Sequence, residues 1–313
     1  MTSPNLFDDV RELPDEEAAR QFSQLIGLDD LKAILVKQAR LLLMPDLLDE
    51  WSRKHHNTVL PCVSDFSRRP PLIVFSGDVG TGKTTLADSF GDPVARTEGL
   101  AKVTLLRLSL MTRGRGAVGE MTHLVSQAFD EVVELAKKGT NSSGKPSSAV
   151  VFVIDEGDAL AESRATEQMH HEDRAGVNVL IRGIDRLARE RLPGLVVLCT
   201  NRVESLDPAV MRRAAVHHQF QRPSDGQREL VLRNALGETF GDSEYQDLAR
   251  LTGPNRNGKK YGYTFSDITQ RFIPNLLIEA FPDSPVTFEL AKSVLDRLEP
   301  TAPFGLTEPE TKR

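Results

Sequence analysis

Three short stretches of this chain are apolar on both faces of an extended strand: Leu72-Ile73-Val74-Phe75, Val150-Val151-Phe152-Val153-Ile154 and Leu195-Val196-Val197-Leu198-Cys199. Unbroken apolar runs of this length suit parallel strands covered on both sides. A further strand is predicted over residues 103–108. Elsewhere the spacing turns helical. Leu31, Ile34, Leu35, Ala39 and Leu42 recur at helical intervals behind Asp29 or Asp30, either of which suits an N-cap. Leu124, Phe129 and Val132 or Val133 do the same within residues 120–135, whereas residues 138–148 carry Gly, Ser, Asn and Pro and read as a loop. Strands alternating with helices predict an α/β protein with a doubly wound parallel sheet, its ligand at the strands' C-terminal ends.

The two ends of the chain differ from this middle. Residues 1–22 are polar and acidic and are expected to form a flexible lead-in. Residues 61–71, rich in Pro, Ser and Arg, lead into the first strand. After Gln221-Arg222-Pro223 the strands stop, and Ser224 starts a helix-rich remainder. The expected division is a lead-in at 1–22, a large α/β domain at 23–222, a small helical domain at 223–300 and a tail at 301–313.

The turn leaving the first strand is Gly77-Asp78-Val79-Gly80-Thr81-Gly82-Lys83-Thr84, a complete G-x-x-x-x-G-K-T phosphate loop, with Thr85 in the helix that follows. Strand, loop and helix in this order separate a nucleotide site from a chance match. The glycines let backbone N–H groups converge on the β-phosphate, Lys83 places a charge against the β/γ oxygens, and the Thr84 hydroxyl can ligate Mg²⁺. The chain is expected to bind ATP through residues 77–85.

Composition narrows the field without naming a reaction. The 313 residues can bury a sizeable core, and a net charge of −6 gives no global basic field for nucleic acid. No apolar run approaches the roughly 20 residues of a membrane span. The N-terminus lacks the basic and apolar regions of a signal peptide, and two distant cysteines, Cys62 and Cys199, build no disulfide framework. A cytoplasmic protein is expected.

The third strand ends in Asp155-Glu156. An acid at the tip of an apolar strand is the expected second Mg²⁺ partner of a phosphate loop, and the carboxylate after it can orient and deprotonate a water. That adjacency favours hydrolysis over transfer to a second substrate. The fourth strand ends in Thr200-Asn201, where an Asn could reach the water or the γ-phosphate, although an Asn after a strand is usually a turn residue.

Taken with Arg202 and Leu206-Asp207-Pro208-Ala209, these motifs resemble the AAA+ ATPases in order and spacing, from about residue 24 to residue 298. The resemblance implies a phosphate-loop NTPase fold with a parallel αβα sheet domain followed by a small helical lid. It implies Asn201 as the polar sensor and an arginine finger that reaches the neighbouring subunit's γ-phosphate, hence a homo-oligomeric ring, most often a hexamer. Arg213 fits the finger position best, with Arg212 the fallback. Gly27 and Leu28 match the turn that packs on adenine. Arg69-Pro70-Pro71-Leu72, residues 169–178, Cys199-Thr200-Asn201-Arg202, residues 263–271 and Thr301-Ala302-Pro303-Phe304 are similar to the pachytene-checkpoint branch, and to its bacterial version encoded beside cyclic-oligonucleotide anti-phage systems. That branch remodels HORMA-domain proteins. The implied substrate is a closed HORMA-domain protein, with a nucleotidyltransferase in its complex.

Several positions depart from the family pattern. Its pore loop is usually aromatic–aliphatic–Gly–Glu; here Ala117-Val118-Gly119-Glu120 lacks the aromatic, so one subunit should grip a substrate weakly. Residues 161–174 would form a second pore loop, and its His170-His171 pair lacks zinc spacing. The second sensor arginine aligns with Ile268, leaving Arg271, at i+3, as a substitute. The basic stretch 254–261 is an exposed loop by expectation, and nucleic acid is not an expected partner. Two other readings stay open: a different AAA+ unfoldase or loader, and a nucleotide-gated scaffold with slow hydrolysis.

Overall fold

The computed structural model describes residues 6–109, 120–141, 145–157, 171–256 and 258–303. Two compact units divide the chain: Met1–Ser76 with Thr84–Gln219, and Gly77–Lys83 with Phe220–Arg313.

The first unit is built on a six-stranded sheet in the order β1-β3-β4-β5-β2-β6. Its strands are β1 (Asp9–Leu13), β2 (Leu72–Gly77), β3 (Lys102–Ser109), β4 (Ser148–Asp155), β5 (Gly194–Thr200) and β6 (Ala214–Phe220). Pairings β3·β4, β4·β5 and β5·β2 are parallel, with Ser109 opposite Asp155, Ile154 opposite Leu198 and Ser76 opposite Thr200. Four strand ends therefore share one edge of the sheet.

Both faces are covered, as unbroken apolar strands require. On one side Leu106, Phe152, Ile154, Val196 and Leu198 pack in a core cluster with residues of α7 (Glu120–Lys138) and α8 (His171–Arg189). A Cβ on Gly183 would stand 2.3 Å from the Phe129 ring, so glycine sets how closely these two helices approach. Phe129 meets Phe152 edge-on at 5.3 Å, and Phe7 does so at 5.9 Å. Helix α2 (Asp29–Leu43) packs on β5, and α6 (Gly91–Ala95) on β3. The remaining helices of this unit are α1 (Glu16–Gln24), α3 (Asp46–His56), α4 (Pro61–Phe66), α5 (Lys83–Ser89) and α9 (Pro208–Met211).

Four expectations are corrected here. From residue 6 onward, the lead-in expected to be flexible is ordered. Leu6, Phe7, Leu13 and Ala18 are buried, Asp15 caps α1 by accepting from the Ala18 N–H at 3.0 Å, and β1 pairs with β3. That pairing is antiparallel, so the sheet is mixed at one edge. A second edge strand, β6, was also hidden in the sequence. Finally, Leu28 occupies the N-cap of α2; Asp29 and Asp30 lie in its first turn and act through the helix dipole.

The second unit holds the loop Gly77–Lys83 and the helices α10 (Asp225–Leu236), α11 (Asp242–Leu251), α12 (Ile273–Ala280) and α13 (Phe288–Arg297). Ser224 opens α10 with a reciprocal capping box to Gln227. A π-helical turn, Asp267–Phe272, precedes α12. The stretch expected to be an exposed basic loop is partly internal: Lys259 is buried and donates to the Leu295 and Leu298 carbonyls at the end of α13.

Candidate functional site

In the first unit, the chain leaves the shared sheet edge at Ser76 and returns at Thr84. The Thr84 hydroxyl donates to Asp155 Oδ1 at 3.3 Å, joining two residues 71 positions apart. Both are hard oxygen donors, the ligand type Mg²⁺ takes. Glu156 has φ +54, a left-handed conformation that an L side chain enters only when its surroundings require it. Here they do: the Glu156 N–H donates to Asp155 Oδ1 at 3.0 Å, and the Gly157 N–H donates to the Cys199 carbonyl at 2.8 Å. The turn is thus tied to its own strand and to β5, which fixes where the Glu156 side chain starts. Asn201 follows β5, and the Arg202 N–H closes that turn on Thr200 Oγ1 at 2.9 Å.

Asp88, on α5, is a functional candidate the sequence reading missed. It is buried, and its Oδ2 accepts from Arg107 Nη1 at 2.9 Å, with Arg11 of β1 at 3.9 Å. Its Oδ1 has no partner. Burial pushes the carboxyl up to about 6, against the pull of Arg107 and Arg11. Asp155 adds to that rise, so β1, through Arg11, and β4, through Asp155, act electrostatically on one carboxylate.

Arg213 donates from Nε and Nη2 to the two oxygens of Asp185, at 2.7 and 2.9 Å, and from Nη1 to the Ala209 carbonyl at 2.9 Å. Arg212 is exposed and makes no side-chain hydrogen bond or ion pair among the described residues. Gly27 has φ +68 and is exposed, while the Leu28 carbonyl accepts from the Lys32 N–H at 2.7 Å. Thr85 is exposed.

In the second unit, the phosphate loop uses its glycines as the motif requires, with φ +136, +75 and +98 at Gly77, Gly80 and Gly82. At Gly80 a Cβ would stand 2.7 Å from both Ser266 Cβ and Thr264 Oγ1. The Ser266 N–H donates to the Gly80 carbonyl at 3.1 Å. Lys83 is buried and donates to the Gly77 and Asp78 carbonyls, both at 2.8 Å; Thr81 Oγ1 donates to Asp78 O at 2.7 Å. Val79 is 46% exposed at the loop's crest.

Arg222 was read only as the end of the strands, yet it touches this loop. Its Nε donates to Asp78 Oδ2 at 2.7 Å and its Nη1 to the Gly262 carbonyl at 2.6 Å. Its Nη2 is buried without a partner. An arginine directly before Pro, at the point where the composition changes, was the available signal.

Arg271 lies in the π-helical turn and donates from Nη1 to Asp267 Oδ1 at 2.8 Å and to Thr301 Oγ1 at 3.4 Å. Ile268 is fully buried. The pore-loop residues Ala117, Val118 and Gly119 lie outside the described residues, as do residues 161–170 of the second loop. Among the described residues, no group of three or more His, Cys, Asp or Glu side chains could hold a metal ion, and no helix is long and apolar enough to cross a membrane.

Comparison with known proteins places these features in a family. Residues 73–222 match the model of the ATPase family associated with various cellular activities (AAA). The chain is 49% identical over 300 residues to CD-NTase-associated protein 6 of Escherichia coli strain MS 115-1, covering 96% of each. It is similar to a chain in the solved structure of the E. coli MS115-1 HORMA:CdnC:Trip13 complex, with TM-score 0.86 and 46% identity over 96% of this chain and 99% of that one. It is also similar to Rhizobiales Trip13, with TM-score 0.71 and 41% identity over 95% of this chain and all of that one. With likeness of this extent and a complete phosphate loop, the chain belongs to the CD-NTase-associated protein 6 (Trip13-like) family of AAA ATPases.

Proposed function

We propose that this protein is a cytoplasmic, Mg²⁺-dependent ATPase that assembles as a ring, most simply a hexamer, and uses hydrolysis to open a closed HORMA-domain protein. The observation that carries the reading is the Thr84–Asp155 pair, a Mg²⁺-type donor set beside a phosphate loop, in a chain similar over 96% of its length to one in a HORMA:CdnC:Trip13 complex.

Lys83 and the N–H groups of residues 77–84 hold the triphosphate of ATP. Thr84 and Asp155 would hold Mg²⁺, which when bound neutralises charge on the β/γ oxygens. Glu156, started in a fixed direction by its turn, takes the proton of the attacking water, and Asn201 orients that water or the γ-phosphate. Arg213 acts on the triphosphate of a neighbouring copy, where a guanidinium stabilises charge on the transferring group. Gly27 and Leu28 flank the base. Residues 117–119 meet the substrate, and the weak grip of a loop without an aromatic is multiplied by the copies in a ring. The product is a disassembled HORMA complex, including one that holds a nucleotidyltransferase, and the consequence is restraint of a cyclic-oligonucleotide anti-phage response.

The test is substrate capture by Glu156→Gln with MgATP from native lysate, with Lys83→Ala as control. Enrichment of a HORMA-domain protein by Glu156→Gln alone is the expected result. Capture of protease subunits or nucleic-acid factors instead would sink the remodeller reading.

A further inference from the structure

Most arginines on a protein surface are mobile, and exposed ion pairs contribute little to stability. The Arg213–Asp185 pair is half-exposed, at 29% and 41% of the side chains, yet its geometry is fully specified. Both carboxylate oxygens receive an N–H, and the third nitrogen is fixed on Ala209 O. Both anchors sit on seated elements. Asp185 lies on α8 beside Ile184, which is fully buried, and Ala209 precedes the fully buried Val210 on α9.

A guanidinium has five N–H groups. Three are used here, and the two that remain lie one on each terminal nitrogen. A tetrahedral phosphate oxygen pair is recognised by just such a two-nitrogen fork. The arrangement therefore splints the side chain and still leaves it able to meet a phosphate. Arg212, without such anchors among the described residues, would have to be ordered at each encounter.

We propose that Asp185 is a positioning residue for Arg213, holding the guanidinium ready for a triphosphate bound by a neighbouring copy; this rests on the reading of Arg213 as the trans-acting arginine. The ordering of the side chain is then completed within one subunit, before the ring closes on nucleotide.

The experiment compares Asp185→Asn, Asp185→Ala, Asp185→Glu, Arg213→Ala and Asp185→Ala/Arg213→Ala in the full chain. Steady-state kcat and KM are measured with fluorescent-nucleotide affinity, light-scattering mass and thermal midpoint. Asp185→Ala and Asp185→Asn should lower kcat about ten- to hundredfold with KM, nucleotide affinity and assembly unchanged. Asp185→Glu should recover part of the loss. The double variant should be no slower than Arg213→Ala alone, because Asp185 acts only through that arginine. A large loss in Arg213→Ala with no loss, or a gain, in the Asp185 variants would overturn the positioning role and leave the finger reading intact. An unchanged kcat in Arg213→Ala would overturn both. If Asp185→Ala lowers the thermal midpoint, the isosteric Asp185→Asn and the double variant decide the matter.

Discussion

Each unit of this protein contains an arginine held by a carboxylate, and the two pairs have opposite hierarchies. In the second unit the carboxylate is the centre. Asp267 is 1% exposed and accepts from the Thr264 N–H at 3.0 Å, the Thr301 N–H at 3.1 Å, Thr301 Oγ1 at 2.6 Å and Arg271 at 2.8 Å. Arg271 is one donor among four. In the first unit the arginine is the centre, and Asp185 and Ala209 are arranged around it. A pair that serves its carboxylate closes a fold; a pair that serves its arginine fixes where the guanidinium lies.

The sharpest way to break this contrast is to truncate each arginine. Arg213→Ala should lower kcat by about 10³-fold or more while leaving the thermal midpoint nearly unchanged, read by steady-state hydrolysis alongside calorimetry. Next comes the buried partner on the other side. Asp267→Ala strands all four donors, so it should destabilise the protein by about 3–5 kcal/mol in urea unfolding. Arg271→Ala removes one half-exposed donor and should stay within about 1 kcal/mol, with kcat changed less than about threefold. A hundredfold loss of kcat in Arg271→Ala would instead restore it as the second sensor.

A pH-dependent effect sharpens the comparison from another side. Burial alone would raise the Asp267 carboxyl, but its four donors hold it below the ordinary value. Its contribution is therefore present above the unfolded pKa of about 4 and lost as pH falls through the folded one. Asp88 has the reverse sign. With its pKa raised to about 6 it disfavours folding in its charged form, so stability falls as pH rises from about 4 to about 6. Asp88→Asn should remove that decline, up to about 2 kcal/mol in the wild-type-minus-variant difference between pH 4 and 7, measured from urea midpoints.

What was legible in the sequence follows the same division between local and distant causes. Strands β2, β4 and β5 announce themselves because burial on both faces leaves no polar position over residues 72–75, 149–154 and 195–199. The phosphate loop and the Ser224 cap are local chemistry, complete within a few residues. Strands β1 and β6 hid because an edge strand is held by backbone pairing while its side chains stay polar, as Asp9, Arg11, His217 and Gln219 do. Family likeness pointed to Arg213, but nothing along the chain could link it to Asp185, 28 residues earlier on another helix. The left-handed Glu156 was equally silent, since its conformation is imposed by bonds to Asp155 and from Gly157 to Cys199.

Strand β1 carries one more lesson, for anyone who handles the protein. It satisfies the outer backbone groups of β3 and presents Asp9, Arg11 and Glu12 along the rim in their place. Trimming the chain past Leu13 would leave β3 as a bare template with Val103, Leu105, Leu106 and Leu108 along it, open to strand-by-strand association with other copies. A shortened preparation should cloud on standing, and solubility would be the first property lost.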